Sequence, residues 1–235
     1  MDLTIVGAGR LGTAHARALK EKGVGVNGPL RRGDTVHGEI VLLTVPDREI
    51  ENAAASIPAE ALVGHTAGAI TLEVFGDRES FSMHPLMTAG TGKANFSGAS
   101  AAVAGTSPRA RRVAREIATT LGMNPIEVPD DKRVAYHVAA SVASNFLVTL
   151  ETIAERIGER AGIDRVQLLP LVRAAVENWG SLGAVALTGP IARGDDDIVA
   201  MHRAEIAAHA PEFLAAWDAL AQATNRIARE EATGM

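Results

Sequence analysis

The segment LTIVGAGRLGTAHARALKEKG, residues 3–23, constrains this chain more than any other stretch. A short apolar run, Leu3–Val6, meets glycines at positions 7, 9 and 12, and an amphipathic run from Arg10 to Lys22 follows. Strand, glycine turn and helix in that order is the context in which G-x-G-x-x-G has physical meaning. Gly7 permits the tight turn, Gly9 lets the backbone approach a pyrophosphate, and Gly12 lets helix and strand pack closely. The helix start then offers unpaired N–H groups and a partial positive charge to an anion. Gly7, Ala8, Gly9, Arg10, Leu11 and Gly12 are therefore candidate dinucleotide-binding residues. The plainer alternative is a turn that merely packs a strand–helix unit.

The residue that reads the adenosine ribose is expected about 20 positions beyond the glycines, after a second strand. That strand is expected at Val24–Val26, and PLRRGD follows, with Arg31 and Arg32 at the required distance. Guanidinium forks match phosphate oxygens, so this pair favours the 2′-phosphate of NADP. Asp34 takes the ribose instead if the loop is displaced, which leaves NAD open; a solvated arginine pair is the plain alternative.

EIVLLTVPDREI predicts a strand at Ile40–Val45, apolar enough to be buried on both faces of a parallel sheet, ended by Pro46 and Asp47. The interval from Arg32 to Ile40 is too short for a usual crossover helix. Strand and helix signals then alternate to residue 129, with a helix start at Ser107–Pro108 and a stop at Gly122. The pattern predicts an α/β domain over residues 1–129, a doubly wound and mainly parallel sheet. Ligands bind such sheets at the carboxyl ends of the strands, which puts Thr44, Val45 and Pro46, Thr66–Gly68, and His84–Pro85 near one cleft.

After Pro129 the texture turns helical, predicting an all-α domain over residues 130–235. One long helix is expected from a cap at Asp130 or Asp131 to a stop at Gly162, then helices near 165–179, 195–208 and 211–231. On the long helix, YHVAASVASN places His137, Ser141 and Asn145 four apart among alanine and valine, on one face. Buried, these groups need partners, and a wet cleft supplies them. Close helix packing around a structural histidine is the plain alternative. His84, held extended by Pro85, is also readable as a strand-end turn residue, and His15 and His209 read as ordinary surface or packing positions.

With these motifs the chain resembles the 6-phosphogluconate dehydrogenase-like superfamily over nearly its whole length. Within it, the closest resemblance is to Rossmann proteins with a carboxyl-terminal helical domain of unknown function. The hallmarks are His84–Leu86, Tyr136–Asn145, Leu169–Asn178, and Ala186–Asp195 followed by His202. The resemblance implies a Rossmann domain, an NADP-dependent oxidoreductase, and hydride transfer to or from a small anionic keto or hydroxy acid, such as a ketopantoate-like substrate. In relatives the equivalent helix carries Lys-x-x-x-Asn; Asn145 matches the asparagine, and Ser141 stands where the lysine would be. His137 is the expected substitute acid/base, since imidazole trades a proton near neutral pH. His84 is second, by similarity to the histidine loop of prephenate dehydrogenases. Asn178, Arg193 and His202 are expected on the substrate wall, Arg193 as a carboxylate clamp. The missing lysine keeps a non-catalytic nucleotide-binding sensor or partner subunit open, beside a prephenate-like dehydrogenase or a deazaflavin-linked reductase.

Hydrophobic residues make up 47% and charged residues 22% of the 235 positions, a globular composition. With 23 basic and 28 acidic residues the formal charge is −5, and no basic stripe points to nucleic acid. There are no cysteines, so disulfides, thiolate nucleophiles and Cys-held zinc are excluded. No His, Asp or Glu grouping has metal-ligand spacing. The opening residues do not read as a secretory signal and the apolar runs are too short to cross a bilayer, so a cytoplasmic location is expected. The alanine-rich helix faces suit either a homodimer or a compact four-helix bundle.

Overall fold

A computed structural model describes residues 2–90 and 94–234. The chain divides into two compact units, one ending at Ser144 and one beginning at Asn145. The first unit is the Rossmann portion, and it also contains the first helix after Pro129.

Its elements run β1 (Asp2–Val6), α1 (Arg10–Glu21), β2 (Gly25–Leu30), β3 (Ile40–Leu43), α2 (Ile50–Ala54), β4 (Leu62–His65), β5 (Ser80–Pro85), β6 (Ser100–Gly105), α3 (Pro108–Thr120), β7 (Asn124–Glu127) and α4 (Arg133–Ser141). The seven strands form one sheet in the order β2-β1-β3-β4-β5-β6-β7. From β2 to β5 all neighbours are parallel; β6 runs antiparallel to β5, and β7 parallel to β6. The order of strand addition reverses between β1 and β3, with β2 on one side and β3 on the other, and such a switch point is where these sheets bind ligands. As the short interval suggests, no helix links β2 to β3. The second strand runs past the expected Val26 to Leu30, so Arg31 follows directly on its carboxyl end.

Alternate residues feed two cores. Leu3, Ile5, Leu42, Leu62, Phe81 and Met83 pack under α1 and α3, while Val41, Leu43, Val63, Ile50, Leu72 and Phe75 fill the opposite face. Each fully buried Leu, Ile or Phe contributes roughly 1.5–3 kcal/mol. A Cβ on Gly64 would lie 2.5 Å from the Phe81 ring, so this glycine makes room for an aromatic ring of the first core. α3 begins as expected, with Ser107 Oγ accepting from the Ala110 N–H at 3.0 Å and Pro108 in the first turn.

Two local expectations are corrected. Neither Asp130 nor Asp131 caps a helix; a 3-10 turn at Asp130–Lys132 leads into α4, closed by the Lys132 N–H donating to the Pro129 carbonyl at 2.9 Å. The long helix is also not uniformly α, because residues Val142–Phe146 form a π turn.

The second unit comprises α5 (Leu147–Gly158), α6 (Arg165–Leu182), α7 (Pro190–Arg193), α8 (Asp196–His209) and α9 (Leu214–Gly234). Gly162, at φ +73°, ends the α5 segment in the left-handed conformation. Asp164 and Gln167 form a reciprocal capping box at the start of α6. Ile153, Ile157, Ile206, Phe213, Trp217 and Leu220 line an apolar groove of about 290 Å³. Trp179, Leu182, Leu171, Met201, Val166 and Phe146 are exposed. Among the described residues no helix is long and apolar enough to cross a membrane.

Candidate active site

The glycine turn sits at the switch point, and Thr44 builds it. Gly7 has φ +115°, and a Cβ there would lie 2.7 Å from the Thr44 carbonyl oxygen. A Cβ on Gly12 would lie 1.9 Å from the Gly7 oxygen and 2.4 Å from Thr44 Oγ1. The Thr44 hydroxyl donates between the Val6 and Gly7 carbonyls, at 3.1 and 2.9 Å. Gly9 differs: nothing lies within 4 Å of its would-be Cβ. Gly9 also precedes α1, whose first turn holds no acidic residue and whose N-cap makes no side-chain bond, so among the described residues no side chain claims the first helix N–H groups.

Beside the turn, Gly7, Ala8, Arg31, Arg32, Asp34 and Val45 help line a cavity of about 590 Å³. Arg32 donates to Glu49 Oε2 at 2.7 Å, whereas the Arg31 backbone N–H is held by Asp34 Oδ2 at 2.7 Å. The arginine pair is therefore divided: one guanidinium is tied to a carboxylate, and the other has its backbone fixed at the end of β2. Thr44 and Val45 take part in this region, and Pro46 is exposed beyond it. Arg10 donates to the Gly90 carbonyl at 3.3 Å.

A second cluster forms at the same edge of the sheet, two and three strands further on. Tyr136 Oη and His84 Nδ1 are hydrogen-bonded at 2.8 Å. The His84 and His137 rings meet edge-on with centroids 5.9 Å apart. Both imidazoles lie over Gly68, where a Cβ would come within 2.6 Å of His137 Cδ2 and 3.1 Å of His84 Nε2. Burial, reinforced by the nearby His137 and by Arg133, lowers His84 to about 4. Burial pushes the Tyr136 phenol up, opposed by the positive charge of Arg133. His65, at the end of β4, is buried and likewise lowered to about 4, first by burial and then by Arg133. The Ala67 N–H donates to its Nδ1 at 3.2 Å.

Arg133, Tyr136 and His137 occupy one face of α4 because they sit at i, i+3 and i+4. Arg133 is 1% exposed, and its Nη2 donates to the Ala67 carbonyl at 3.3 Å. Extending the four-residue stripe one turn back from His137 reaches Arg133. That spacing was the available signal for this residue, for which nothing else in the sequence announces burial.

Ser141 continues the stripe on α4. Asn145 lies inside the π turn, where the ordinary helical spacing is broken, and it belongs to the second unit. Asn178, Arg193 and His202 also belong to the second unit. The Arg193 guanidinium is engaged by Asp195 at 2.9 and 3.2 Å, and the His202 ring packs edge-on to Trp217 at 5.8 Å. Of the two readings open for His15, surface or packing, the structure shows packing: it is fully buried against Phe96, and burial lowers it to about 4. Among the described residues no group of His, Asp and Glu could hold a metal ion.

Fold and glycine turn define a Rossmann chain with a helical second unit. The family itself follows from the sequence: the chain belongs to the domain of unknown function family DUF2520, whose model matches residues 99–224. No curated protein matches the chain. Among solved structures, protein BF3122 of Bacteroides fragilis aligns with a TM-score of 0.84 at 20% identity, covering 96% of this chain and 98% of its own. Protein TM1727 of Thermotoga maritima gives 0.75 at 26% identity, covering 97% and 99%. The pyrroline carboxylate reductase of Plasmodium falciparum, solved with NADP bound, gives 0.60 at 12% identity, covering 97% and 98%.

Proposed function

We propose that the protein is an NADP-dependent oxidoreductase that reduces, or in reverse oxidises, a small anionic carbonyl or imine compound. The observation that carries this is the pairing, on one sheet edge, of a glycine turn open at Gly9 with the His84–Tyr136–His137 cluster over Gly68. BF3122 bears the provisional name of NADP oxidoreductase, and the Plasmodium enzyme holds NADP, which supports the same reading.

The cradle fits a dinucleotide. The open side of Gly9 and the uncapped start of α1 would receive the pyrophosphate, and Arg31 would meet the 2′-phosphate. The bound nicotinamide would supply the hydride. The proton is this chain's part. With the phenol of Tyr136 held protonated, its O–H donates to His84 Nδ1, and the neutral ring carries its own proton on Nε2, over Gly68. His84 Nε2–H then donates to the substrate heteroatom while Nδ1 accepts the Tyr136 proton, and the resulting tyrosinate is stabilised by the Arg133 charge. His137 stands beside this path, with Ser141 one turn further along α4. Pairing of two chains through the helical unit belongs to the same proposal, supported by the exposed Trp179, Leu182 and Met201.

Titration of the protein with NADPH and NADH, followed by nicotinamide fluorescence, tests the reading. Tighter binding of NADPH is expected, with the preference cut about tenfold or more by Arg31→Ala and less by Arg32→Ala, whose guanidinium is already held by Glu49. Binding of neither nucleotide overturns it.

A further inference from the structure

The arginines of this chain invert the usual arrangement. Exposed Arg32, Arg109, Arg115, Arg165, Arg193 and Arg203 each hold a carboxylate at 2.5–2.9 Å. Arg133, at 1% exposure, holds none among the described residues. Among the described residues its one hydrogen bond goes to a backbone carbonyl, and its buried Nε and Nη1 have no partner. A guanidinium keeps its proton, so it cannot escape the cost of burial by becoming neutral as a lysine or histidine can. An uncompensated buried charge is strongly destabilising, and native chains retain one where a counter-ion completes it.

Among the described residues no carboxylate contacts Arg133. Asp130 acts on Arg133 only through space, and the other titratable neighbours are the imidazoles of His65 and His84 and the phenol of Tyr136, which burial holds in its protonated form at rest. The carbonyl that Arg133 reaches belongs to Ala67, the residue before the Gly68 floor under His84 and His137. Nη2 spends one of its two N–H bonds on Ala67, which leaves one two-pronged edge of the guanidinium open, and such an edge matches the two oxygens of a carboxylate.

We propose that Arg133 is the receptor for the substrate's carboxylate, making this a site for α-keto, α-hydroxy or α-imino acids, whose reacting carbon is the next atom along. The proposal rests on the oxidoreductase reading for the reaction, but not for the anion itself. It also moves the carboxylate clamp from Arg193, already engaged by Asp195, to α4.

The test uses acetate and oxamate as carboxylate probes and acetamide as a neutral control. Each is titrated into the intact protein with and without saturating NADPH, and binding is followed by calorimetry and by the Nε–H resonance of Arg133 in NMR spectra, assigned with Arg133→Lys. Acetate and oxamate are expected to bind and to shift that resonance; acetamide is not. Arg133→Met is expected to weaken carboxylate binding at least tenfold, to leave NADPH affinity unchanged, and to melt no lower than the original protein, because a buried unpaired charge has been removed. A resonance that stays fixed under saturating carboxylate, or a Met variant that binds carboxylate within twofold of the original, overturns the proposal. Failure of NADPH to bind the original protein defeats the oxidoreductase reading alone, since the anion titration without nucleotide still reports on Arg133.

Discussion

His84 and Tyr136 lie 52 positions apart in the chain, yet their Nδ1 and Oη atoms are 2.8 Å apart. One residue comes from the end of a strand and the other from the first helix after the sheet, so the bond ties α4 to β5. It also fixes which ring nitrogen is left to face Gly68. Tyr136 is the only tyrosine in the sequence, so its removal is a clean experiment. Tyr136→Phe keeps the ring's packing and removes the proton source. On a substrate found by following NADPH consumption, turnover is expected to fall about 10²-fold, within the range for a positioned acid. NADPH affinity should stay as it was; undiminished turnover would remove the phenol from the proton path.

The glycines of the turn should respond in opposite ways. Gly9 has ordinary backbone angles and open space around its would-be Cβ. Gly9→Ala should therefore leave stability within about 0.5 kcal/mol while weakening NADPH binding at least tenfold. In Gly12→Ala the new methyl would press on the Gly7 carbonyl at 1.9 Å, and a loss of stability of about 1–3 kcal/mol or more is expected. Thermal melting with and without NADPH separates the two effects.

Gly68→Ala addresses the second cluster without touching a polar group. Its methyl would displace the His137 ring, at 2.6 Å, and crowd His84, at 3.1 Å. Displacement of reacting groups by about 1 Å costs on the order of 10²-fold in rate. Turnover should fall accordingly with the melting temperature little changed. A variant with full turnover would show that neither imidazole works above this glycine.

Acid should destabilise the fold through its buried imidazoles. His15 and His65 are held at about 4 in the folded chain, against an ordinary 6.5. Below 6.5 the unfolded chain binds more protons than the folded one, so stability declines as pH falls from 6.5 toward 4. For His15 the loss at about pH 5 is about 2 kcal/mol. His15→Leu, which keeps the apolar contact with Phe96, should shrink the stability difference between neutral pH and about pH 5 by roughly that amount. Urea unfolding at the two pH values measures it, and an unchanged difference would contradict a neutral buried ring.

Some of these residues were legible from sequence because their requirement is local. The glycine turn needs a backbone without Cβ at Gly7 and Gly12, and that need is written into six consecutive positions. Ser107, Pro108 and Gly162 likewise act within one turn of chain. The spacing of α4 puts Arg133 on the same stripe as His137, but its burial is not legible, because the groups around it come from the ends of β4 and β5 and the loop at Ala67, which the helix sequence does not encode. For His15 the sequence leaves surface and packing equally open for the same reason: Phe96, far along the chain, packs against it. The π turn has no spacing signature, so the uniform stripe of His137, Ser141 and Asn145 was drawn through a place where the helix changes pitch. The reversed direction of β6 was equally silent, since an apolar strand reads alike in either orientation.

The hydroxyl and carbonyl of Thr44 occupy the spaces that glycines 7 and 12 leave, so three residues from two separate strands and a helix close on one another. The nucleotide loop is therefore not portable. A graft of residues 3–21 into another protein would carry the glycines but not the post they turn around, and the loop would hold its shape only where the recipient's neighbouring strand supplies a threonine at the same height.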